Sequence, residues 1–214
     1  LAPVNAKLSE PTEEILNEAI ADDLQQAAVV LAAAFYDDPV AQWFFPHEAR
    51  RRLQLERLFH FYLRKLWFPH DECLVTAGVV GIATWLPPGK WHLSIGRQLL
   101  LLPGLALTLG RSLVHVLRGI AAMEADHPKE SHFYLPFIGV HPEWQGGGIG
   151  GALMVPVLKR CDRESVPAYL EASAPRNRSL YMRFGFEVTE EFRLGKGSPP
   201  MWRMWRKPRQ SNAS

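Results

Sequence analysis

Five glycines fall within six consecutive positions of the segment Gln145-Gly146-Gly147-Gly148-Ile149-Gly150-Gly151. Each glycine would weaken an ordinary helix start by up to about 1 kcal/mol, so such a run is expected where backbone must approach a ligand closely. The segment follows a predicted strand and opens an apolar predicted helix, whose free N–H groups and positive end favour phosphate. The loop therefore predicts a phosphate-binding site, with a flexible surface turn as the alternative.

Two nucleotide-binding motifs compete for this loop. Gly146, Gly148 and Gly151 fit the dinucleotide pattern G-x-G-x-x-G, and Glu171 follows at the distance of a ribose-binding acid. That pattern should open at the end of the strand, whereas residues 141–145 intervene, and the chain leaves no room for a doubly wound sheet. A Walker loop is excluded because no Lys-Ser or Lys-Thr follows the glycines.

The composition is that of a globular protein of one domain. Hydrophobic residues make up 47% and charged residues 21% of the 214 residues, and 24 basic residues balance 22 acidic ones. The small net charge argues against nucleic acid or a membrane surface as a partner. None of the eight His has metal-ligand spacing, and His127, His132 and His141 are interpreted as surface or loop residues, so no metal is expected.

No membrane-spanning segment is predicted. The longest uncharged apolar run, between Arg97 and Arg111, is broken by Pro103-Gly104 and is shorter than the ~20 residues a bilayer needs. We interpret Leu99–Leu102 as core rather than as a membrane contact. The first 18 residues lack the order of a signal peptide, and the two Cys suit buried thiols. A cytoplasmic protein is expected.

Periodicity and turn residues predict helices and strands in a mixed order. The helices are predicted from Asp22 until Pro39 ends the first, over residues 49–66 until Pro69, over 91–123 with a break at Pro103-Gly104, and over 148–163 and 176–184. The strands are predicted over residues 72–76, 79–86, 132–140, 168–172, 186–192 and 201–206, and the two ends, 1–10 and 210–214, as frayed. Residues 14–20 fit either a helix extension or a short strand. The pattern indicates an α/β or α+β sheet.

The glycine loop can also be interpreted as Q-x-x-G-x-G, carried by Gln145, Gly148 and Gly150. This resembles the pyrophosphate-binding loop of the GCN5-related N-acetyltransferase (GNAT) superfamily, and within it the puromycin N-acetyltransferases most. The resemblance is specific over residues 128–206 and weak in the first half. Its other motifs are Pro128-Lys129-Glu130, Gly139-Val140, Pro142, Pro167-Ala168, Leu170-Glu171, Ala174-Pro175-Arg176-Asn177, Tyr181, Phe184-Gly185-Phe186 and, near the start, Leu31–Phe35.

The resemblance implies a fold and a donor substrate. It implies one GNAT domain over residues 1–214, with a single, mostly antiparallel mixed sheet flanked by helices and a helical insert at about residues 91–123. Residues 15–19 become the first strand, and Pro136 marks a bulge where the cofactor strand splays from its neighbour. Acetyl-CoA would be the acetyl donor. The residues implied to bind it are Ile138, Gly139, Val140, Gln145, Gly146, Gly147, Gly148, Ile149, Gly150, Gly151 and Asn177.

The resemblance also implies catalytic roles. Tyr181 corresponds to the general acid that protonates the departing sulfur. Glu171 ends an apolar strand, so its carboxylate lies either on the open face of the sheet or in the cleft as general base, directly or through water. Asn177 would be a helix cap by default, with a cofactor contact added by the resemblance. Backbone N–H groups near Ile138 and Val140 could polarise the thioester carbonyl.

Aromatic and acidic residues after the first helix could bound a pocket for the acceptor. These are Asp37, Asp38, Trp43, Phe44 and Phe45, which would suit an amine with an apolar or planar body; a packed corner between helices is the alternative.

We therefore expect an N-acetyltransferase that moves acetyl to a primary amine of a small molecule or peptide by direct attack, as a monomer or homodimer. A non-catalytic acyl-CoA sensor and a dinucleotide oxidoreductase stay open as alternatives.

Overall fold

Seven strands form one mixed sheet in the computed structural model, which describes residues 16–67 and 73–209. The strands are β1 (Leu16–Glu18), β2 (Cys73–Thr76), β3 (Gly81–Leu86), β4 (Phe133–Val140), β5 (Ala168–Ala172), β6 (Glu187–Arg193) and β7 (Pro200–Arg206). Their order in the sheet is β1-β2-β3-β4-β5-β7-β6. Every pair is antiparallel except β4 with β5. The predicted mostly antiparallel α/β sheet is confirmed.

Helices cover both faces of this sheet. They are α1 (Leu24–Ala34), α2 (Pro39–Phe44), α3 (Glu48–Tyr62), α4 (Ile95–Leu109), α5 (Leu113–Ala125), α6 (Ile149–Glu164) and α7 (Pro175–Arg183). Successive strand residues point to opposite faces, so Ile82 of β3 joins the core under α1 to α5 while Ala83 joins the core under α6 and α7. The two cores hold the sheet between two helical layers.

A bulge lies at Pro136, as predicted. On β3 and β4, Thr84 pairs with Phe137 and Leu86 pairs with Tyr134, so two residues of β4 oppose a single residue of β3. Proline has no N–H to donate to the ladder, and a bulge is one of the few places where a sheet tolerates it. The extra residue bends β4 at the point where it must leave its other neighbour.

The parallel partners β4 and β5 separate soon after they meet. They pair at two positions, Phe133 with Ala168 and Tyr134 with Tyr169, while β4 continues to Val140. The predicted splay of the cofactor strand is therefore confirmed. It leaves a gap between the carboxyl half of β4 and the segment after β5, in which a ligand can contact strand backbone.

The first predicted helix ends earlier than expected. α1 stops at Ala34, and Pro39 begins α2 instead of ending α1. The fixed φ of proline suits the first helical position, where an N–H would lack a partner in any case. Asp38 directly before it accepts hydrogen bonds from the backbone N–H groups of Val40 and Ala41. The prediction that Pro39 only terminates a helix is wrong.

The predicted break at Pro103-Gly104 is also wrong. α4 runs through both residues and ends at Leu109, directly before Gly110, whose φ of +51° favours glycine. Gly104 is required there because a Cβ atom would lie 2.8 Å from the ring of Phe61. The hydroxyl of Thr108 donates to the Gly104 carbonyl at 2.8 Å. Close packing on α3 thus holds the helix together across the proline.

Leu99–Leu102, expected in the core, lie largely on the surface. Leu99 and Leu100 are 63% and 79% exposed. Within the described residues, Ile95–Ala125 is the one helical stretch long and apolar enough to cross a membrane by length and composition, with a mean hydropathy of 1.6 and 17% of its apolar window buried. The core interpretation of this segment is wrong.

The remaining predicted elements agree within a few residues. β1 confirms the strand alternative at Leu16–Glu18, and Ile15 lies outside the described residues, as do both chain ends and Pro69. The helix predicted over 49–66 is α3 followed by a π-helical turn at Leu63–Trp67. Both predicted buried thiols, Cys73 and Cys161, lie in the core.

Candidate functional site

The glycine loop joins β4 to α6 through two left-handed glycines. Gly146 and Gly148 have φ values of +84° and +82°, and Gly148 directly precedes the first residue of α6. The side-chain amide of Gln145 donates to the Val140 carbonyl at 2.9 Å. Gln145 therefore closes the loop against the end of β4, while the exposed loop backbone remains available to a ligand.

Two further glycines let the loop and helix pack closely. A Cβ at Gly151 would lie 2.8 Å from the ring of Phe184, and one at Gly139 would lie 2.9 Å from the side chain of Leu31. Gly147 is different, because its nearest neighbour is the Trp144 carbonyl at 3.9 Å. Close packing thus fixes the backbone at Gly139 before the loop and at Gly151 after it, whereas position 147 has space for a side chain.

A cavity of about 360 Å³ follows this loop along β4. The backbone N–H groups in the first turn of α6 have no partner within the helix. The predicted cofactor residues that line the cavity are Ile138, Gly139, Val140, Gln145, Gly146, Gly148, Ile149, Gly150, Gly151 and Asn177. Arg176 and Arg183 of α7 also line it; Arg183 was not identified from the sequence, and no local pattern would have identified it. These features together suit a phosphate-bearing ligand.

A second cavity, of about 260 Å³, lies between the sheet and helices α1, α2, α3 and α5. Its walls are mostly aromatic and aliphatic, and its acidic members are Asp38, Glu124 and Glu171. The aromatic residues are Phe35, Phe44, Phe45, Phe59, Tyr62, Trp91, Tyr134, Phe137 and Tyr181. Five residues line both cavities: Phe35, Asp38, Ile138, Asn177 and Tyr181. The two spaces therefore meet at the splay of the sheet.

Glu171 lies in the second cavity rather than on an open face of the sheet. Its side chain is 4% exposed. One carboxylate oxygen accepts a hydrogen bond from the Tyr134 hydroxyl at 2.8 Å, and the other accepts one from the Tyr169 hydroxyl at 2.9 Å. Burial raises the pKa of both tyrosines, and the neighbouring carboxylate raises it further. Both phenols therefore remain donors, and they fix the orientation of a buried carboxylate.

Two buried histidines extend this network, contrary to their expected surface position. His127 Nδ1 lies 3.7 Å from Glu171, and His127 Nε2 lies 3.1 Å from His132 Nε2. Because His132 Nδ1 lies 2.6 Å from the Glu130 carbonyl, which can only accept, His132 donates there and accepts from His127. Burial lowers the pKa of His132, which favours this neutral form. Trp91 stacks on His127 at 3.8 Å between ring centroids.

Tyr181 lies on α7 at the junction of the two cavities. It is buried, and burial together with the nearby carboxyl of Asp38 raises its pKa. The phenol therefore keeps its proton throughout the neutral range. Asn177 lies one turn earlier, inside α7 rather than at its cap, since Ala174 precedes the first helical residue. The default expectation of a helix-capping Asn177 is wrong, and its side chain is free to line both cavities.

Of the two neighbouring aspartates, Asp38 belongs to the site and Asp37 is exposed. Asp38 caps α2 and accepts a hydrogen bond from the Ser173 hydroxyl, which ties α2 to the segment after β5. Burial raises the pKa of Asp38 above its usual value of 3.8 despite these donors. Phe44 lines the second cavity. Trp43 instead packs on His115 of α5, at 4.0 Å between centroids.

We predict that Asp38→Ala lowers the free energy of unfolding by about 1–2 kcal/mol, because the cap and the Ser173 contact are lost. Asp37→Ala is the matched control and should stay within about 0.5 kcal/mol of the wild type. The pKa of Asp38 is raised in the folded protein. Its contribution to the free energy of unfolding is therefore complete below its pKa in the unfolded chain, and it declines as the pH rises through its pKa in the folded protein. Urea unfolding of Asp38→Ala should therefore show a larger loss of unfolding free energy at pH 4 than at neutral pH. Equal losses for Asp38→Ala and Asp37→Ala would contradict this prediction.

Comparison with known proteins identifies a domain in the second half of the chain. Residues 113–202 match the family model described as an acetyltransferase (GNAT) domain. This range begins with α5 and reaches into β7, so it contains the glycine loop, Glu171 and Tyr181.

One curated relative matches most of the chain. An uncharacterized N-acetyltransferase of Schizosaccharomyces pombe is 28% identical over 202 residues, which are 88% of this chain and 81% of the relative. The human cysteine-rich protein 2-binding protein is 36% identical over 66 residues, 31% of this chain and 8% of that protein.

Solved structures share the fold. A Corynebacterium glutamicum structure described as histone acetyltransferase HPA2 and related acetyltransferase has a TM-score of 0.70 at 24% identity, covering 93% of this chain and 98% of that one. The arylalkylamine N-acetyltransferase 2 of Aedes aegypti has a TM-score of 0.59 at 11% identity, covering 91% and 98%. The matched domain and the curated relative support an acetyltransferase enzyme, and the solved structures show that the fold is shared.

Proposed function

We propose that the protein transfers the acetyl group of acetyl-CoA to a primary amine of a small molecule with an apolar or aromatic body. The observation that carries this proposal is the meeting of two cavities at Asn177 and Tyr181. One is lined by the glycine loop and two arginines, and the other by aromatic rings and Glu171. A phosphate-bearing donor and an apolar acceptor can thus approach each other at the splay of the sheet.

The residues of the first cavity fit coenzyme A. The first-turn N–H groups of α6 and the positive end of the helix suit the diphosphate. Arg176 and Arg183 supply positive charge at the same cavity. Beyond Tyr134, β4 still pairs with β3 but no longer with β5, and its edge on that side suits the amides of the pantetheine arm. Acetyl-CoA, when bound, supplies an activated acetyl thioester.

The second cavity suits the acceptor. Rings such as Phe35, Phe59 and Trp91 would contact an apolar or planar body, while Glu171 and Glu124 attract a cationic amine. Among proteins of similar fold, one is described as an arylalkylamine N-acetyltransferase, and the motif resemblance to puromycin N-acetyltransferases also agrees with a bulky amine. Both support a non-peptide amine acceptor without identifying it.

Two residues would transfer protons when the amine attacks the thioester directly. Glu171, held by Tyr134 and Tyr169, would accept the proton that the amine must lose, directly or through one water. Tyr181 stays protonated in the neutral range, so it would be available to give its proton to the sulfur as the carbon–sulfur bond breaks, and it would regain a proton from solvent after the products leave. The enzyme would work as a monomer or homodimer in the cytoplasm, where the buried thiols of Cys73 and Cys161 suit a reducing environment.

Calorimetry and a turnover assay test the proposal together. We expect heat on titration with acetyl-CoA and, in a panel of amines, CoA release greatest with arylalkylamines and other apolar primary amines. Binding of acetyl-CoA without transfer to any amine would instead indicate a sensor. No binding of acetyl-CoA, or binding of NAD instead, would refute the proposal altogether.

We predict that Gly147→Arg strengthens acetyl-CoA binding. Family members often carry a basic residue at this position, the side chain has open space, and an added charge near a phosphate should lower Kd roughly threefold to tenfold. Gly147→Gln is the control of similar length without charge and should bind nearly as the wild type does. An unchanged or weaker affinity of Gly147→Arg by calorimetry would count against phosphate at this loop.

A further inference from the structure

The outer face of α4 is apolar and is largely exposed in the described part of the chain. Its exposed residues are Ile95, Leu99, Leu100, Leu102 and Leu107, of which Leu107 is 88% exposed. Ile95, Leu99 and Leu102 share one side of the helix at spacings of four and three, and Leu100 and Leu107, seven apart, share the adjoining side. The five residues form one stripe rather than scattered leucines, and we call this stripe the α4 face.

The other side of α4 is apolar as well. Leu105 and Leu109 are buried in the core and Leu101 is half-buried. A helix that is apolar all round is normally covered on all sides, by protein or by lipid. The protein covers one side here, so the α4 face is the half that lacks a cover, and contiguous exposed patches of this kind mark contact surfaces.

The charges of the chain segment that contains α4 and most of α5 have one sign. Four of the chain's 24 basic residues lie between Pro87 and Met123, and none of its 22 acidic residues does. Lys90, Arg111 and Arg118 are exposed, and Arg97 lies in the first turn of α4 with its guanidinium donating to the Lys65 carbonyl at 3.2 Å. An apolar stripe with basic residues beside it is the pattern of a helix that lies in the headgroup region of an anionic bilayer.

The small net charge of the whole chain argues against a membrane surface, but the charge of this segment is locally basic, and we propose that the α4 face docks on the surface of an anionic lipid bilayer. Two copies of this chain meeting face to face would bring the same arginines of this segment toward each other, whereas anionic headgroups complement them. The helix does not span the bilayer. Its 15 residues are about 22 Å long against a hydrocarbon core of about 30 Å, and its inner side is held by Leu105 and Leu109.

Docking would bring the acceptor cavity to the bilayer surface. Lys90, Trp91 and Leu93, directly before α4, line that cavity, as do Val116 and Met123 of α5. The inference goes beyond the proposed acetyl transfer and does not depend on it, because vesicle binding is measured without substrates.

Vesicle sedimentation of the full chain tests this proposal. We expect at least roughly tenfold stronger association with vesicles of phosphatidylcholine and about 30 mol% phosphatidylserine than with phosphatidylcholine alone, weakening as salt is added. No association with the mixed vesicles, or equal association with both, would overturn it.

Two double variants, each with a matched control, separate the contributions of apolar and basic side chains to vesicle binding. Leu100→Gln/Leu107→Gln should weaken association roughly tenfold or more, whereas Ile20→Gln/Leu53→Gln, exposed elsewhere, should not. Arg111→Gln/Arg118→Gln should remove most of the preference for phosphatidylserine, and Arg52→Gln/Arg163→Gln should keep it. All eight side chains are exposed, and circular dichroism verifies folding. A homodimer in size-exclusion chromatography that the leucine variant abolishes, without vesicle binding, would assign the face to a second copy and overturn the proposal.

Discussion

Glu171→Gln is expected to lower kcat/KM for amine acetylation at neutral pH by between about 100-fold and 10,000-fold, the usual contribution of a general base. The amide preserves the shape of the side chain and an acceptor for the phenols, so the fold and acetyl-CoA binding should persist. It cannot take a proton from the amine. As the pH rises, more of the acceptor is already neutral, so the difference between variant and wild type should narrow.

The pH profile separates a base from a structural residue. Tyr134→Phe removes one of the two phenols on the carboxylate, and we expect it to lower kcat without this narrowing at high pH, because Glu171 is still a base. Glu187→Gln, an exposed change on β6, is the matched control and should leave turnover unaltered. A Glu171→Gln enzyme with wild-type kcat/KM at pH 7 would show that the carboxylate has another role.

Tyr181→Phe is expected to lower kcat by about 100-fold or more while the Kd for acetyl-CoA stays within about twofold of the wild-type value. Removing the hydroxyl leaves the ring in the junction of the cavities but leaves the departing sulfur without a proton donor. Because burial and Asp38 raise the pKa of the phenol, the wild-type enzyme should not lose activity through Tyr181 below about pH 10.

Tyr36→Phe serves as the control for this substitution. Tyr36 offers its ring face to Arg51, at 5.2 Å from the centroid, and a phenylalanine keeps that contact. Stopped-flow release of CoA and calorimetry on the same preparations separate chemistry from binding. Loss of acetyl-CoA binding in Tyr181→Phe would make the tyrosine a wall of the donor cavity, and wild-type kcat would remove it from the reaction.

The cavity beside the glycine loop could largely be predicted from the sequence because its determinants are local. Left-handed glycines, a strand before the loop and an apolar helix after it are neighbours in the chain, so Gly148 and Gln145 could be identified by their spacing. The bulge at Pro136 could be predicted for the same reason, since the missing N–H is a property of that one residue.

The surroundings of Glu171 could not be predicted in this way. Tyr134 approaches Tyr169 only through the parallel register of β4 and β5, and His127 comes from a third segment. The histidines have no metal-ligand spacing, so nothing in their neighbourhood distinguished buried groups from loop residues. Asp37 and Asp38 differ only by one position in a turn, which no periodicity resolves.

The helical insert shows a different limit. A helix that is apolar on every side has no polar face to mark its solvent side, so its sequence pattern does not say which side the protein covers. Pro103 looked like a break because a proline costs a hydrogen bond. The ring of Phe61 against Gly104 outweighs that loss, and Phe61 lies more than forty residues earlier in the chain.

β4 and β5 pair at two positions only, and this narrow seam in the sheet separates two groups of residues that line the cavities. Glu171 and Tyr181 both belong to the part after the seam, whereas the other aromatic residues that line the second cavity, from Phe35 to Phe137, belong to the part before it. Substitutions that reshape the second cavity can therefore accumulate on one side while Glu171 and Tyr181, the proposed proton-transfer pair, keep their geometry on the other. Under the proposed function, such an arrangement would let related enzymes evolve toward a different amine while the groups that transfer protons stay unchanged.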